Sequence, residues 1–232
     1  MVTSQIASNN HLFTRQAYLY SVRAKWWLST HTLDAFKRAL DICLTLPAMV
    51  ALAPLFAMVA LAIKFNDGGP VLFWQTRVGL NGKSFRFPKF RSMCVHSQAL
   101  QIALQQHNQH GTDGVTFKLK KDPRITAVGR FLRRTSIDEL PQLWCVITNH
   151  MSLVGPRPAL PAEVARYTTA ARQRLTVKPG LTCIWQVNGR SEVPFPQQVS
   201  MDIEYIRTRS IARDLRLIGE TFPAVLKGRG AY

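Results

Sequence analysis

The sequence predicts an α/β protein that is mostly helical, with a small globular domain joined to one N-terminal, proline-kinked membrane helix. An apolar run of 22 residues, 42–63, contains only Thr45, Pro47 and Pro54 as exceptions. Turn signals then separate short strand-like stretches, and several amphipathic stretches follow them. A chain of 232 residues is long enough to bury a core. We divide it into an N-terminal extension at 1–36, the membrane helix at 37–66 and a globular domain at 67–232.

The composition is strongly basic. It contains 30 Lys and Arg against 13 Asp and Glu, a net charge of +17. Such a surface indicates a polyanionic partner: nucleic acid, anionic lipid headgroups or phosphorylated substrates. The 4 cysteines show no C-x-x-C spacing, so neither a zinc site nor a disulfide framework is predicted.

The apolar run is predicted to enter a membrane. As a straight helix it would reach about 33 Å, close to the thickness of the hydrocarbon layer. A soluble helix of this length would show a polar face, and this one shows none. Basic residues flank both ends, Lys37-Arg38 before it and Lys64 after it, and Pro54 should bend it, which together favour a re-entrant helix that returns to the same face. A single span with a proline kink is the alternative.

A β-hairpin is predicted directly after the membrane helix. Val71–Trp74 and Ser84–Phe87 have the composition of short strands, and Asn81-Gly82 between them is a hairpin signal. Lys89-Phe90-Arg91-Ser92-Met93 follows as a cationic turn.

Two adjacent carboxylates, Asp138 and Glu139, are the candidate catalytic groups. They stand between the basic run Arg130–Arg134 and Arg157, which has a proline on each side. Carboxylates set among cations suit phosphate chemistry on a divalent metal, and a rigidly presented guanidinium suits phosphate recognition. Alternatively, Ser136-x-x-Glu139 fits a helix capping box, which needs no catalysis.

The rest of the chain is predicted to alternate helices with turns. The stretch 143–147 should form a short amphipathic helix that either lies in the headgroup layer or packs in the core. The His-containing stretch 96–112 is predicted to be a solvated helix or loop without a metal site. Further predicted elements are a polar helix at 161–175, a turn at 179–182, a loop at 185–190 and closing helices at 202–211 and 215–226.

Taken together, these motifs resemble the bacterial sugar transferase family, the monotopic phosphoglycosyl transferases. The resemblance covers nearly everything after residue 36. It rests on Lys37-Arg38, the Pro54-bent apolar segment, Lys89–Met93, Asp122–Thr126, Leu132–Leu143, Ser152–Pro158, Pro179–Thr182, Trp185–Arg190 and Gly228–Tyr232.

The resemblance implies transfer of a sugar 1-phosphate from a UDP-sugar to undecaprenyl phosphate with release of UMP. This is the first membrane step of exopolysaccharide or glycoconjugate assembly, with glucose or galactose as the expected sugar. It also implies a re-entrant helix bent at Pro54, both ends of which face the cytoplasm, in the bacterial inner membrane. Where relatives commonly have Ser before this proline, the chain has Ala53.

The resemblance further implies the roles of individual residues. Asp138 matches the nucleophile that forms a covalent phosphosugar intermediate, and Glu139 matches a partner linked to Mg²⁺ and proton handling, so that both are expected at the metal. Binding of substrate and its phosphates is expected from Lys89, Arg91, Arg133, Arg157, Gln186 and Arg190.

A basic, membrane-attached module that binds polyanions, or a scaffold for a polysaccharide complex, is the alternative function. A polyanion-binding module would bind with steep salt dependence and would not need Asp138. Because no nucleic-acid-binding fold is recognisable, no nucleic-acid partner is expected. The expected partners are a UDP-sugar, undecaprenyl phosphate, membrane lipids and downstream glycosyltransferases.

Overall fold

The structure is a computed structural model that describes residues 2–95, 97, 122–189 and 192–227. Within these residues helices predominate, as predicted, and the strands form two small sheets of two strands each. By its internal contacts the chain divides into two compact units, Met1–Leu40 and Asp41–Tyr232. The second unit holds the core and the candidate site. The domain boundaries predicted after residues 36 and 66 stay predictions.

Helix α1 runs from Val2 to Asp67 and continues through Pro47 and Pro54. From Thr32 to Asp67 it is long and apolar enough to cross a membrane. Many of its large apolar side chains are exposed: Leu44, Leu46, Val50, Met58, Leu61 and Phe65. In a soluble protein such an apolar surface would be covered, so we assign α1 as the segment that attaches the protein to a membrane. The kink at Pro54 and the re-entrant path stay predictions.

Strands β1 (Leu72–Val78) and β2 (Ser84–Phe90) form the predicted antiparallel hairpin. At the turn, Asn81 and Gly82 have φ values of 55° and 77°, the left-handed backbone that Asn-Gly adopts at low cost. Both strands extend further than predicted. The sequence Lys89-Phe90 therefore belongs to the end of β2 and not to a turn.

Part of α1 packs on the end of this hairpin. Val59 and Ile63 form a buried cluster with Phe90 of β2 and Leu132, and the Phe56 ring meets the Phe90 ring edge to face with centroids 5.5 Å apart. Leu132 lies in helix α2 (Ala127–Arg134). The membrane helix is thus packed directly against the strand that carries Lys89.

Helix α2 lies closely against the segment that follows β2. Its first turn is capped by Thr126, whose Oγ1 accepts a hydrogen bond from Gly129 N at 2.9 Å. A Cβ atom at Gly129 would come within 1.9 Å of the Ser92 carbonyl oxygen, so glycine permits this approach. The packing brings Arg133, at the end of α2, next to Ser92.

The second sheet pairs β3 (Ser152–Val154) and β4 (Gly180–Thr182) in parallel. The turn predicted at 179–182 is therefore wrong. Gly180 serves close approach of two backbones, since a Cβ atom there would lie 2.0 Å from Gly155 N. A strand of three residues is too short for its alternation to be detected in the sequence.

Six further α-helices follow in the described part of the chain. They are α3 (Leu143–Ile147), α4 (Pro161–Ala165), α5 (Thr169–Arg172), α6 (Ile184–Val187), α7 (Phe195–Thr208) and α8 (Ile211–Lys227). The polar helix predicted at 161–175 is broken into α4, α5 and a 3-10 turn, and the loop predicted at 185–190 starts within α6. Both closing helices are present with different bounds, since the first starts at Phe195 and ends at Thr208 and the second starts at Ile211. Tyr205 of α7 joins them, because its hydroxyl donates to Asp214 Oδ1 of α8 at 2.7 Å.

Candidate active site

Asp138 and Glu139 lie in a 3-10 turn, Ile137–Gln142, between α2 and α3. Ser136, which precedes the turn, has a φ of 57°, and its side chain makes no capping hydrogen bond. The capping box considered for Ser136 and Glu139 is therefore wrong. The Glu139 carboxylate has other hydrogen-bond partners.

Two cations meet at one oxygen of Glu139. Lys89 Nζ donates to Glu139 Oε1 at 2.7 Å, and Arg157 donates to the same oxygen at 3.1 Å. Burial favours the neutral acid, but the charges and hydrogen bonds of Lys89 and Arg157 outweigh it and hold the pKa of Glu139 well below its usual value. Glu139 is thus a fixed anion that orients the two cations.

Asp138 has a different environment. Its side chain is only 6% exposed, and none of the described residues donates a hydrogen bond to its carboxylate. Burial raises the pKa of Asp138, while the charge of Lys89 opposes this and the charge of Glu139 adds to it. The two neighbouring carboxylates are therefore driven apart in proton affinity, a pattern that in enzymes separates groups with different chemical roles.

Lys89 and Arg157 reach the carboxylates from the ends of two different strands. Lys89 is in β2, and Arg157 follows β3 in the turn between Pro156 and Pro158. Burial lowers the pKa of Lys89, whereas Glu139 raises the pKa of Arg157. The structure therefore brings together four of the predicted site residues: Lys89, Asp138, Glu139 and Arg157.

Arg133 is the third predicted cation near the carboxylates. Its Nε donates to Ser92 Oγ at 2.9 Å, and its charge is one of those that lower the pKa of Asp138. The contact with Ser92 uses one guanidinium nitrogen. The other guanidinium nitrogens of Arg133 donate no hydrogen bond to the described residues, which suits contact with an anion.

Arg91 is engaged elsewhere. It is buried, its Nε donates to the Pro70 carbonyl at 2.6 Å, and both its terminal nitrogens bind the Asp67 carboxylate at the end of α1. These bonds use the nitrogens that a phosphate would need. The structure therefore gives Arg91 a structural contact, and its predicted role at the phosphates stays a prediction without geometric support.

Gln186 and Arg190 are the two predicted site residues that follow β4. Gln186, in α6, accepts a hydrogen bond from Cys183 Sγ through Oε1 at 3.1 Å. The predicted role of Gln186 in substrate binding stays a prediction. Arg190 lies outside the described residues.

Sequence reasoning missed Arg77. In the hairpin register Arg77 and Gln75 pair with Phe85 and Phe87, on the face that also carries Lys89. Its guanidinium donates to the Pro158 carbonyl at 3.1 Å, directly after Arg157, and to Gln75 Oε1 at 2.7 Å. Burial is the largest cause that lowers the pKa of Arg77 to about 10, and the positive charge of Arg157 is the next largest. The alternation would have revealed Arg77 had β1 been predicted beyond Trp74.

The donor set can be compared with what Mg²⁺ requires. Within the described residues no group of three or more His, Cys, Asp or Glu side chains is placed to hold a metal ion. Mg²⁺, however, commonly uses one or two carboxylates and completes its shell with substrate phosphates and water. The adjacent Asp138 and Glu139 fit this pattern, because the Asp138 oxygens accept no hydrogen bond from the described residues.

Two adjacent carboxylates, Asp138 buried and Glu139 partly buried, lie among lysine and arginine near a membrane-attached helix, and this arrangement suits phosphorylated substrates. The family model described as "Bacterial sugar transferase" matches residues 32–228. The chain belongs to the bacterial sugar transferase family, as its sequence motifs indicate.

Named relatives are similar over most of the chain. Exopolysaccharide production protein ExoY of Sinorhizobium fredii is 39% identical over 198 residues, which cover 84% of this chain and 88% of that protein. Undecaprenyl-phosphate galactose phosphotransferase of Salmonella typhimurium is 42% identical over 199 residues, 84% of this chain and 41% of that protein. UDP-galactose-lipid carrier transferase of Erwinia amylovora is 38% identical over 232 residues, 94% of this chain and 47% of that protein. The chain thus spans most of ExoY but less than half of the two longer relatives.

Proposed function

We propose that this protein transfers a hexose 1-phosphate from a UDP-hexose to undecaprenyl phosphate, releases UMP, and so begins assembly of an exopolysaccharide. The names of its relatives supply the substrates: a UDP-sugar, a lipid carrier and undecaprenyl phosphate. One observation carries the chemistry. Of two adjacent carboxylates, the partly buried Glu139 accepts hydrogen bonds from Lys89 and Arg157, whereas the buried Asp138 accepts none from the described residues.

Asp138 acts as the nucleophile. A carboxylate oxygen of Asp138 attacks the phosphorus that bears the sugar, a bond forms between this oxygen and phosphorus, and the bond from phosphorus to UMP breaks. An oxygen of undecaprenyl phosphate then attacks the same phosphorus and releases the Asp138 carboxylate. Splitting the transfer in this way lets two anionic substrates use one site in turn.

The cations make the first attack feasible. A carboxylate and a diphosphate repel each other, so positive charge must be in place before they meet. Lys89 supplies positive charge from β2, Arg157 supplies it from the turn after β3, and Arg133 supplies it from α2. Mg²⁺, held by Asp138 and Glu139 together with substrate phosphates, would add further neutralisation of the diphosphate when bound.

The membrane arrangement is part of the proposal. Helix α1 enters the inner membrane from the cytoplasmic side, bends at Pro54 and returns, so that the site faces cytoplasmic UDP-hexose. Phe131 on α2 and Trp144 on α3 are both more than half exposed, which supports an interfacial position for these two helices.

Pro54→Leu is expected to straighten α1 and turn the re-entrant helix into a span. Leucine restores the backbone N–H that proline lacks, and a straight apolar helix of this length reaches across the bilayer. The measurement uses a variant without native cysteines that carries Ser29→Cys, treated with an impermeant maleimide on intact spheroplasts. Labelling should occur only with Pro54→Leu. Lys83→Cys, on the hairpin turn, serves as the cytoplasmic control, and labelling of Ser29→Cys with Pro54 intact would exclude the re-entrant path.

Arg77→Met is expected to lower kcat/KM about tenfold, the loss of one charged hydrogen bond near the substrate. Methionine keeps contact with the Phe87 ring but removes the bond to the Pro158 carbonyl that steadies Arg157. Arg86→Met is the matched control, because Arg86 is an exposed arginine on the opposite face of the hairpin, over Trp74. Equal effects of the two substitutions would remove Arg77 from the site.

The proposed function is tested by incubating purified membranes with undecaprenyl phosphate and a panel of UDP-sugars. UMP release that requires both the lipid phosphate and one UDP-hexose is the expected result. A chain that releases no UMP with any sugar, yet binds polyanions with steep salt dependence, would instead be a binding module.

A further inference from the structure

Asp41 connects the start of the apolar part of α1 to strand β3. It is only 4% exposed, and its Oδ1 accepts hydrogen bonds from Ser152 Oγ at 3.1 Å and from Leu153 N at 2.9 Å. A carboxylate is buried at a considerable cost in free energy unless such partners compensate it. One oxygen on the membrane helix therefore fixes both a side chain and the backbone of β3.

Strand β3 carries this contact on to Arg157. Gly155 N donates to the Thr182 carbonyl at 3.0 Å, and Gly180 N donates to the Pro156 carbonyl at 2.9 Å. The two backbones approach so closely at Gly155 and Gly180 that no side chain fits between them. These hydrogen bonds hold the segment to β4 as far as Pro156. A displacement of Ser152 would therefore also displace Arg157.

At the other end of the apolar segment, Asp67 binds Arg91. Arg91 Nη1 donates to Asp67 Oδ2 at 2.5 Å, Nη2 donates to Asp67 Oδ1, and Nε donates to the Pro70 carbonyl. Gly69 leaves room for the guanidinium, since a Cβ atom there would lie 2.8 Å from it. Arg91 comes two residues after Lys89, and its own N donates to the Val71 carbonyl at 2.9 Å. The exit of α1 is thus tied to the end of β2.

The two connections converge on one atom. The strand held by Asp41 leads to Arg157, the strand held by Asp67 carries Lys89, and both cations donate to Glu139 Oε1. We propose that Asp41 and the Asp67–Arg91 pair are positioning residues, which fasten the two ends of the membrane helix to the strands of the active site. The cation pair on Glu139 then assembles fully only when the helix is seated. The kinetic part of this inference rests on the proposed function.

The first test compares Asp41→Ala with Asp41→Asn in the full chain, reconstituted in nanodiscs of phosphatidylethanolamine and phosphatidylglycerol. Alanine removes the acceptor and should lower kcat at least about tenfold, while KM for UDP-hexose changes less than about threefold, because misplaced groups cost catalysis more than binding. Asparagine keeps a carbonyl oxygen for both donors and should restore most of kcat. Thr45→Val is the matched control, one turn away: Thr45 is buried, and its hydroxyl has no hydrogen-bond partner among the described residues. Equal losses in all three variants would overturn the proposal.

Double-mutant cycles separate positioning from general destabilisation. If Asp41 acts through Arg157, Asp41→Ala should cost little further activity in an Arg157→Ala background, and Arg91→Met should behave likewise with Lys89→Met. Each should be additive with Glu220→Gln, an exposed substitution on α8. Additive losses within the Asp41–Arg157 and Arg91–Lys89 cycles would contradict the proposal.

Hydrogen exchange gives a readout that needs no activity. Asp41→Ala should accelerate amide exchange at Gly155 and Arg157, beyond the contacted Leu153, and leave residues 86–90 unchanged, whereas Arg91→Met should do the reverse. Faster exchange at Leu153 alone would show that the contact is only local and would overturn the inference. If the wild-type chain releases no UMP, the proposed function fails, and these exchange patterns still decide whether the helix positions the two strands.

Discussion

Asp138→Asn is expected to abolish transfer, with turnover falling at least about a thousandfold. The substitution keeps size and shape but removes the anionic oxygen that attacks phosphorus, and a neutral amide is not a nucleophile of comparable strength. None of the described residues donates a hydrogen bond to Asp138, so the substitution breaks no described contact. The measurement is UMP release from a UDP-hexose in nanodiscs that contain undecaprenyl phosphate.

Two further measurements make this result specific. The variant should remain in the membrane fraction with an unchanged melting temperature, as should Glu220→Gln, a control acid exposed on α8. With sugar-labelled UDP-hexose and no lipid acceptor, the wild-type protein should retain label on Asp138 and the variant should retain none. Product that accumulates while no labelled protein can be trapped would exclude the covalent route.

The sequence predicted the chemical groups of the site because their identities carry the signal. Adjacent carboxylates between basic runs, and an arginine between two prolines, are recognisable without knowing how the chain folds. The structure then places Lys89 and Arg157, 68 residues apart in the sequence, on one oxygen of Glu139. That convergence depends on strand pairing over long sequence separations, which no local pattern encodes.

Arg91 and Arg77 show where the sequence alone did not identify the cations of the site. Both are arginines close to a predicted strand, and the motif favoured Arg91. Its partner, Asp67, stands 24 residues earlier, at a helix end whose position relative to β2 only the fold defines. Arg77 was overlooked because β1 was predicted to end at Trp74, so that its shared face with Lys89 stayed hidden. Element boundaries thus determined which cation was assigned to the site.

The short elements were the least predictable. Gly180 in a Pro-Gly sequence indicates a turn by composition alone, yet it lies in β4 because Gly155 approaches it closely. Likewise, Ser136 and Glu139 satisfy the spacing of a capping box, but the two partly buried cations Lys89 and Arg157 bind the Glu139 carboxylate in place of the backbone N–H. In both places tertiary contacts override a valid local preference.

Glu139→Gln is expected to lower turnover about a hundredfold, an effect of about 2.7 kcal/mol that is typical of a lost charge at a partly buried, hydrogen-bonded pair. The amide oxygen can still accept a hydrogen bond, but it no longer neutralises Lys89 and Arg157, which then turn toward Asp138, the remaining anion. Asp138 would thereby acquire hydrogen bonds that weaken it as a nucleophile. The measurement is the rate of UMP release, together with the rate at which label appears on the protein.

The double variant Lys89→Met, Glu139→Gln separates the structural from the catalytic part of this effect. Removing both charges of the pair leaves no uncompensated ion, so the melting temperature should return toward the wild-type value. Turnover should nevertheless stay low, because Lys89 is also needed to neutralise the diphosphate. Recovery of turnover in the double variant would mean that Glu139 serves only to balance Lys89, and that the carboxylate pair has no joint role in the reaction. A variant that recovers stability without activity would instead place Glu139 and Lys89 with Asp138 in the chemical step.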